Sequence, residues 1–195
     1  MPRDAVDLLA DLTDDQRAQI DAFAALMLKW NQKINVTAAK SIADVLAHCV
    51  DGIVAAKLIP AGAGTLVDIG SGGGLPLIPM AIMRPEVAMT GVEPIAKKWA
   101  FLVSCSRELG LKNVSARQGR VEELFDGNKY DVATSKATFE LTRWLEIGLR
   151  LVKPNGAVLS FGSAAATPTS ASPADVFDFV RDGASYWISR HWRVP

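Results

Sequence analysis

Leu66-Val67-Asp68-Ile69-Gly70-Ser71-Gly72-Gly73-Gly74-Leu75-Pro76 reads as an apolar strand, a glycine-rich turn and the opening of a helix, with proline where a helix start tolerates it. Glycine admits positive φ and lets the backbone approach a ligand with no Cβ in between. Exposed N–H groups at the start of the following helix can then hold a carboxylate or a phosphate. A glycine cluster taken alone also fits a tight turn that binds nothing. Spacing narrows the choice, because a dinucleotide fingerprint begun at Gly70 needs glycine at position 75, where this chain has Leu75. The pattern is acid-x-G-x-G-x-G, running from Asp68 through Gly70, Gly72 and Gly74. A carboxylate beside the turn suits a zwitterionic, cationic ligand better than a pyrophosphate, since it can pair with an ammonium group.

Outward from this turn, short β-rich runs alternate with helical stretches, as a parallel sheet with crossover helices requires. The pattern predicts strands over Thr65–Ile69, Ala88–Val92, Val114–Gln118, Asp131–Ser135 and Ala157–Phe161. It predicts helices over Leu75–Met83, Ile95–Leu109, Val121–Phe125 and Phe139–Leu151, and a sharp turn at Pro154-Asn155-Gly156. The expected fold is α/β, a mostly parallel, doubly wound sheet. Glu93 follows the second of these strands, 23 residues beyond Gly70, where a carboxylate can accept both ribose hydroxyl hydrogens. The alternative for Glu93 is an exposed acid at a strand end.

Upstream, Thr13 and Gln16 have capping-box spacing, with Leu12 placed as a staple residue. Ile20, Phe23, Ala24, Met27 and Trp30 then recur at helical spacing, a stripe most simply read as core. A second helix covers Ile42–Leu58, and Pro60 with Ala61-Gly62-Ala63-Gly64 breaks the chain before the core begins. Residues 1–195 are expected to form a single domain, with N-terminal helices over 1–60 and a core over 65–195. Downstream, the Ala-, Ser-, Thr- and Pro-rich stretch 163–174 reads as a flexible loop, followed by a helix near Pro173–Arg181 and a strand near Ser185–Trp192. That last strand stops close to Pro195, so it is expected to lack a hairpin partner, as in a shortened chain.

The composition, 49% apolar and 22% charged with no net charge, is that of a soluble globular protein. Zero net charge argues against nucleic-acid binding by bulk electrostatics. The distribution is uneven, however, with an acidic balance over residues 1–60 and a modest basic excess over 84–153. No apolar run is long enough to span a bilayer and the N-terminus has no signal-peptide core, so no membrane association and a cytoplasmic location are expected. Cys49 and Cys105 match no metal-ligand or paired redox spacing and read as buried thiols, and no metal is expected.

Asp-Ile-Gly-Ser-Gly-Gly-Gly at 68–74 resembles the first motif of class I S-adenosylmethionine (SAM)-dependent methyltransferases, a motif that identifies the cofactor and not the substrate. The surroundings resemble one family in particular, the small-subunit rRNA methyltransferase G family, also called glucose-inhibited division protein B. Trp30-Asn31 with Asn35-Val36-Thr37, and His48 with Asp51, resemble its W-N-x3-N-L-T and H-x2-D motifs. Gly74-Leu75-Pro76 with Ile78-Pro79, Lys97 with Phe101-Leu102, Leu109-Gly110-Leu111 with Asn113-Val114, and Arg120-Val121-Glu122 resemble four further motifs. The similarity runs from about Leu28 to Phe161. It implies a Rossmann-like fold, SAM as cofactor, and methyl transfer to N7 of a guanine in the decoding-region loop of 16S rRNA. It further implies a cofactor pocket from Asp68, Gly70, Ser71, Gly72, Gly74, Leu75, Glu93, Arg120, Val121, Glu122 and Ser135.

The chain also departs from the family pattern. Ser135-Lys136-Ala137-Thr138 stands where S-R-A-F is usual, so a bidentate guanidinium becomes a point charge. Phe161-Gly162 stands for K-G, Gly52 for a serine, and the family's final strand is expected to be missing beyond Pro195.

Guanine N7 offers its lone pair in the neutral base, so methylation there requires alignment and no general base. Lys136, at the carboxyl edge of the sheet, is the candidate catalytic cation touching base O6 or phosphate; a solvated lysine is the alternative. Lys97 and His48 join it as candidate substrate contacts. Lys97 and Arg120 fit phosphate binding and structural roles equally, and His48, on one helix face with Asp51, also reads as a satisfied buried histidine. The expected partner is 16S rRNA or the assembling 30S subunit, met by a monomer. Two other readings stay open: a methyltransferase of another substrate, and a SAM- or RNA-binding protein without turnover.

Overall fold

The computed structural model describes residues 3–125, 129–163 and 175–194, with side chains from Asp7 onward. The N-terminal part holds β1 (Arg3–Asp4), α1 (Ala5–Ala10), α2 (Asp14–Asn31) and α3 (Ile42–Leu58). Thr13 caps α2 as the spacing predicts. Its Oγ1 accepts the Gln16 N–H at 3.3 Å, and Gln16 Oε1 accepts the Thr13 N–H at 3.1 Å. Ser41 and Asp44 form the same box at the start of α3. Between the two helices, Asn31 Oδ1 accepts the N–H groups of Val36 and Thr37 at 3.0 and 3.2 Å and folds this segment back.

The core follows as β2 (Thr65–Ile69), α4 (Leu77–Met83), β3 (Ala88–Glu93), α5 (Ala96–Glu108), β4 (Val114–Gln118) and a 3-10 turn at Val121–Leu124. It continues with β5 (Tyr130–Thr134), α6 (Leu141–Leu151), β6 (Val152–Ser163), β7 (Asp175–Arg181) and β8 (Ala184–Trp192). One sheet runs in the order β1-β7-β8-β6-β5-β2-β3-β4. Strands β2 to β6 pair in parallel, and β8 lies antiparallel between β6 and β7.

The central strands are buried on both faces, hence their near-continuous apolar runs. Alternation along each strand sends Leu66, Met89, Val132 and Leu159 to one face, where Val50 and Val54 of α3, Met80 of α4 and Leu102 of α5 cover them. Val67, Val92, Ala133 and Val158 go to the other, under Trp144, Ile147 and Leu151 of α6. Helix α2 adds a further layer, packing Phe23 and Met27 on Cys49, Ile78 and Phe101.

Two expectations at the C-terminal end are corrected. The stretch expected as a helix near Pro173–Arg181 is strand β7 from Asp175, because Phe177, Phe179 and Arg181 alternate inward while Val176, Asp178 and Asp182 face out. The last strand does not lack a partner: β8 pairs with β7 from Ala184↔Arg181 to Arg190↔Asp175, and with β6 on its other edge. Most of the stretch expected as a flexible loop, 164–174, lies outside the described residues, as does Pro173. Cys49 and Cys105 are both buried and unpaired, and burial pushes the Cys105 thiol up to about 12. Among the described residues no helix is long and apolar enough to cross a membrane.

Candidate active site

The parallel strands end together at one edge of the sheet, and the turn after β2 sits at its centre. Gly70, Gly72 and Gly74 all have positive φ, at 73°, 53° and 80°. At Gly70 the requirement is double, since a Cβ there would also come within 2.4 Å of Thr138 Oγ1. Four amides of this turn are already engaged within the protein, those of Gly70, Ser71, Gly72 and Gly74, so these four are not the bare donors expected of the turn. Gly70 and Ser71 donate to the Val92 carbonyl at 2.8 and 3.2 Å, Gly72 donates to Glu93 Oε2 at 2.9 Å, and Gly74 donates to the Ser71 carbonyl at 2.7 Å. The turn is thus pinned to the end of β3, and its glycines serve close approach and conformation.

The unmet group is the acid. Asp68 is 1% exposed, and neither carboxylate oxygen has a hydrogen-bond partner. The Ser71 hydroxyl donates instead to the Asp68 carbonyl at 2.8 Å. Burial pushes the Asp68 carboxyl up to about 7. A buried carboxylate without partners is costly, and a cationic ligand group would satisfy it. Glu93 is buried too; besides Gly72, it accepts the Ile95 N–H at 2.8 Å through Oε1. It is not the exposed strand-end acid of the alternative reading. Because each carboxylate oxygen has two lone pairs, Glu93 retains capacity for hydroxyl donors.

Beside the turn lies a cavity of about 160 Å³ lined by Gly70, Pro94, Arg120, Val121, Glu122 and Thr138, among others. Val121 is buried, while Arg120 and Glu122 are exposed at its rim. The structure therefore groups Asp68, Gly70, Ser71, Gly72, Glu93, Arg120, Val121 and Glu122 around the end of β2. Ser135 joins them through its hydroxyl, which donates to the Ile69 carbonyl at 2.8 Å and ties the end of β5 to β2. Lys97 stands exposed on the first turn of α5 and lines neither this cavity nor the next.

A second cluster lies one strand away. Lys136, two residues beyond β5, is neither a solvated lysine nor a free cation at the pocket mouth: it is ion-paired with Asp51 of α3. The other oxygen of Asp51 pairs with Arg181 of β7 at 2.5 Å, and both of these side chains are more than nine-tenths buried. The Arg181 guanidinium lies over the Tyr186 ring at 4.0 Å. His48, one turn before Asp51, is not a satisfied histidine, since its Nδ1 is buried without a partner. Its pKa is lowered, by burial first and then by the charges of Lys136 and Arg181. Asp51 thus holds two cations. A cavity of about 180 Å³ opens here, walled by Phe161, Gly162, Tyr186 and Trp187.

Arg181, Tyr186 and Trp187 line the second cavity and Thr138 the first, and the sequence did not single out any of the four. The only signal for Arg181 was period-2 alternation over 177–181, masked by the expectation of a helix.

A family model described as rRNA small subunit methyltransferase G matches residues 16–171. A curated ribosomal RNA small subunit methyltransferase G of Ralstonia nicotianae is 37% identical over 147 residues, covering 71% of this chain and 66% of that protein. The one from Geobacter metallireducens is 36% identical over 162 residues, covering 81% and 73%. The chain thus spans about two thirds of the length of its curated relatives. Among solved structures, cofactor-bound Rv0187 from MTB aligns with a TM-score of 0.64 at 14% identity, over 89% of this chain and 91% of that one. A mutant of MtNAS in complex with S-adenosylmethionine aligns with a TM-score of 0.58 at 16% identity, over 92% and 76%. At such identities these two show the fold alone.

Proposed function

Because this chain belongs to the rRNA small subunit methyltransferase G family, we propose that it transfers a methyl group from SAM to N7 of a guanine in the decoding-region loop of 16S rRNA. The observation that carries the proposal is the buried, unpartnered carboxylate of Asp68 beside a turn of positive-φ glycines. When bound, SAM supplies an electrophilic methyl group on a sulfonium. The donor set fits it: Asp68 would hold the cationic methionine end, Glu93 the ribose hydroxyls, and the cavity edged by Arg120, Val121 and Glu122 the adenine. Gly70, Gly72 and Gly74 let backbone meet the cofactor closely, while Ser71, Leu75 and Ser135 hold the turn in shape.

Toward the acceptor, this chain's work is positioning. N7 has no proton to lose, so the rate depends on alignment, which can contribute roughly 7–11 kcal/mol. Lys136 gives the cavity beyond β5 a positive charge, and Asp51 fixes where that charge stands. Lys97 and His48 are assigned to the rRNA side, Lys97 as a phosphate contact and His48 as a neutral neighbour of the clasp. The residues act as one domain over 1–195, and the protein works as a monomer in the cytoplasm on 16S rRNA within the assembling 30S subunit. The test is to incubate purified protein and labelled SAM with 30S subunits and with free 16S rRNA from cells lacking the modification, then locate the label by mass spectrometry. Label on guanine N7 is expected; transfer only to small molecules would overturn the assignment. SAM binding without transfer to either RNA would favour the second reading, an RNA- or SAM-binding protein without turnover, which the ion-paired state of Lys136 supports.

A further inference from the structure

We propose that the cavity between the ends of β5 and β6 and the β7–β8 hairpin receives the target base, and that Arg181 is the residue that distinguishes guanine from adenine there. The proposal rests on the reading of this chain as an rRNA methyltransferase and adds a specificity determinant to it. Place is the first support. Ser135 Oγ bonds the Ile69 carbonyl, and the next residue, Lys136, lines the cavity, so the cavity opens one strand from the cofactor turn. Size is the second: an enclosed space of about 150 Å³ accommodates benzene, and this one measures about 180 Å³ and is open on one side.

The walls are built for a flat ring. Phe161, Tyr186 and Trp187 supply aromatic surface, as sites for unstacked bases do. Trp187 is positioned deliberately: its Nε1 donates to the Ser163 carbonyl at 3.1 Å, and its ring lies where a Cβ on Gly162 would come within 2.1 Å. Cations gather at one end. Arg181 is fixed from two sides, by Asp51 through one Nη and by the Tyr186 ring beneath it. A guanidinium carries five N–H donors, so more remain than Asp51 uses. Guanine places the acceptor O6 beside N7, where adenine places a donating amino group. Donors fixed at this spot accept guanine and oppose adenine. Lys136 shares the same carboxylate as a point charge and adds field without that directional choice.

The experiment uses the whole protein with S-adenosylhomocysteine present and measures equilibrium dialysis of guanosine monophosphate, adenosine monophosphate and 2-aminopurine riboside monophosphate, the last being a guanine lacking O6. Guanosine monophosphate is expected to bind at least tenfold more tightly than either of the others. Arg181→Lys, which keeps the charge and removes the fork, is expected to bring the three within about threefold of one another while SAM affinity stays as in the wild type. The same variant is expected to lower kcat/KM on rRNA by 10- to 100-fold. Equal binding of the three nucleotides by the wild type, or an Arg181→Lys protein of intact SAM affinity that retains the preference, would overturn the inference. The wild-type comparison decides the matter even where the variant fails to fold. Wild-type selectivity without methyl transfer would instead sink the proposed activity and leave the base pocket standing.

Discussion

The glycine-rich turn after β2 and the Asp51 clasp sit one strand apart and are built on opposite plans. The turn draws on residues 68–74 and 93 and is held through its own backbone groups: the Val92 carbonyl receives the amides of Gly70 and Ser71, and the Glu93 carboxylate receives that of Gly72. The clasp draws on positions 51, 136 and 181 and is held by side-chain charge. The turn leaves one acid unsatisfied, and the clasp leaves none of its three charges without a partner. A backbone-built site can be poised for a ligand by burying one bare carboxylate, whereas a side-chain-built site keeps its shape by internal pairing and meets the ligand with spare donors.

The largest effect that would break this contrast lies at Asp68. Asp68→Asn is expected to reduce SAM affinity by about 100-fold or more in calorimetry, because a buried ion-pair partner is lost. The same change is expected to stabilise the ligand-free protein at pH 8 by about 2 kcal/mol in denaturant unfolding. The folded carboxyl holds its proton to about 7 against an ordinary 3.8, so stability is lost as pH rises through that window. The gain from Asn therefore shrinks toward pH 4; a variant that bound SAM normally would end the assignment of Asp68.

Asp51→Ala should act the other way round, removing about 3 kcal/mol of stability by leaving Lys136 and Arg181 facing each other, with SAM affinity within about threefold of the wild type. A large fall in SAM affinity with stability unchanged would erase the division between the two regions. Gly70→Ala should cost about 1–2 kcal/mol from positive φ and the Thr138 contact and weaken SAM binding. Thr138→Gly in the same chain should restore part of the stability loss, measured as recovery of the denaturant midpoint.

The smallest effect is at His48. Its pKa is depressed by burial and by the two neighbouring cations, so the stability it contributes is present above about pH 6.5 and is lost as pH falls below that. His48→Gln should flatten the decline in unfolding free energy between pH 6.5 and 5 by no more than about 1 kcal/mol, read from denaturant midpoints. An unchanged slope would show that neither burial nor the clasp charges depress its pKa.

These two plans also explain what was legible in the sequence. The strand bounds at Thr65–Ile69 and Val114–Gln118 and the helix Ile42–Leu58 are those the patterning predicts, because periodicity and caps are local. Asp68, the glycines and Glu93 were legible for the same reason: turn chemistry is written in adjacent residues. The partners of those glycine amides were not, since a carbonyl at Val92 leaves no trace at position 70. The clasp was invisible because Asp51, Lys136 and Arg181 have no spacing in common, only a shared end of the sheet. Arg181 was hidden further by mistaking β7 for a helix, where a short run flanked by undecided composition carries too few periods to choose.

The Asp51–Arg181 pair also has a consequence in time. It spans 130 positions, whereas the Glu93–Gly72 contact spans 21, and closing a longer loop costs more chain entropy and comes later. A refolding chain should therefore gain the ability to bind the nucleoside before it gains the ability to select a base, and a stopped-flow record following both should show two phases in that order.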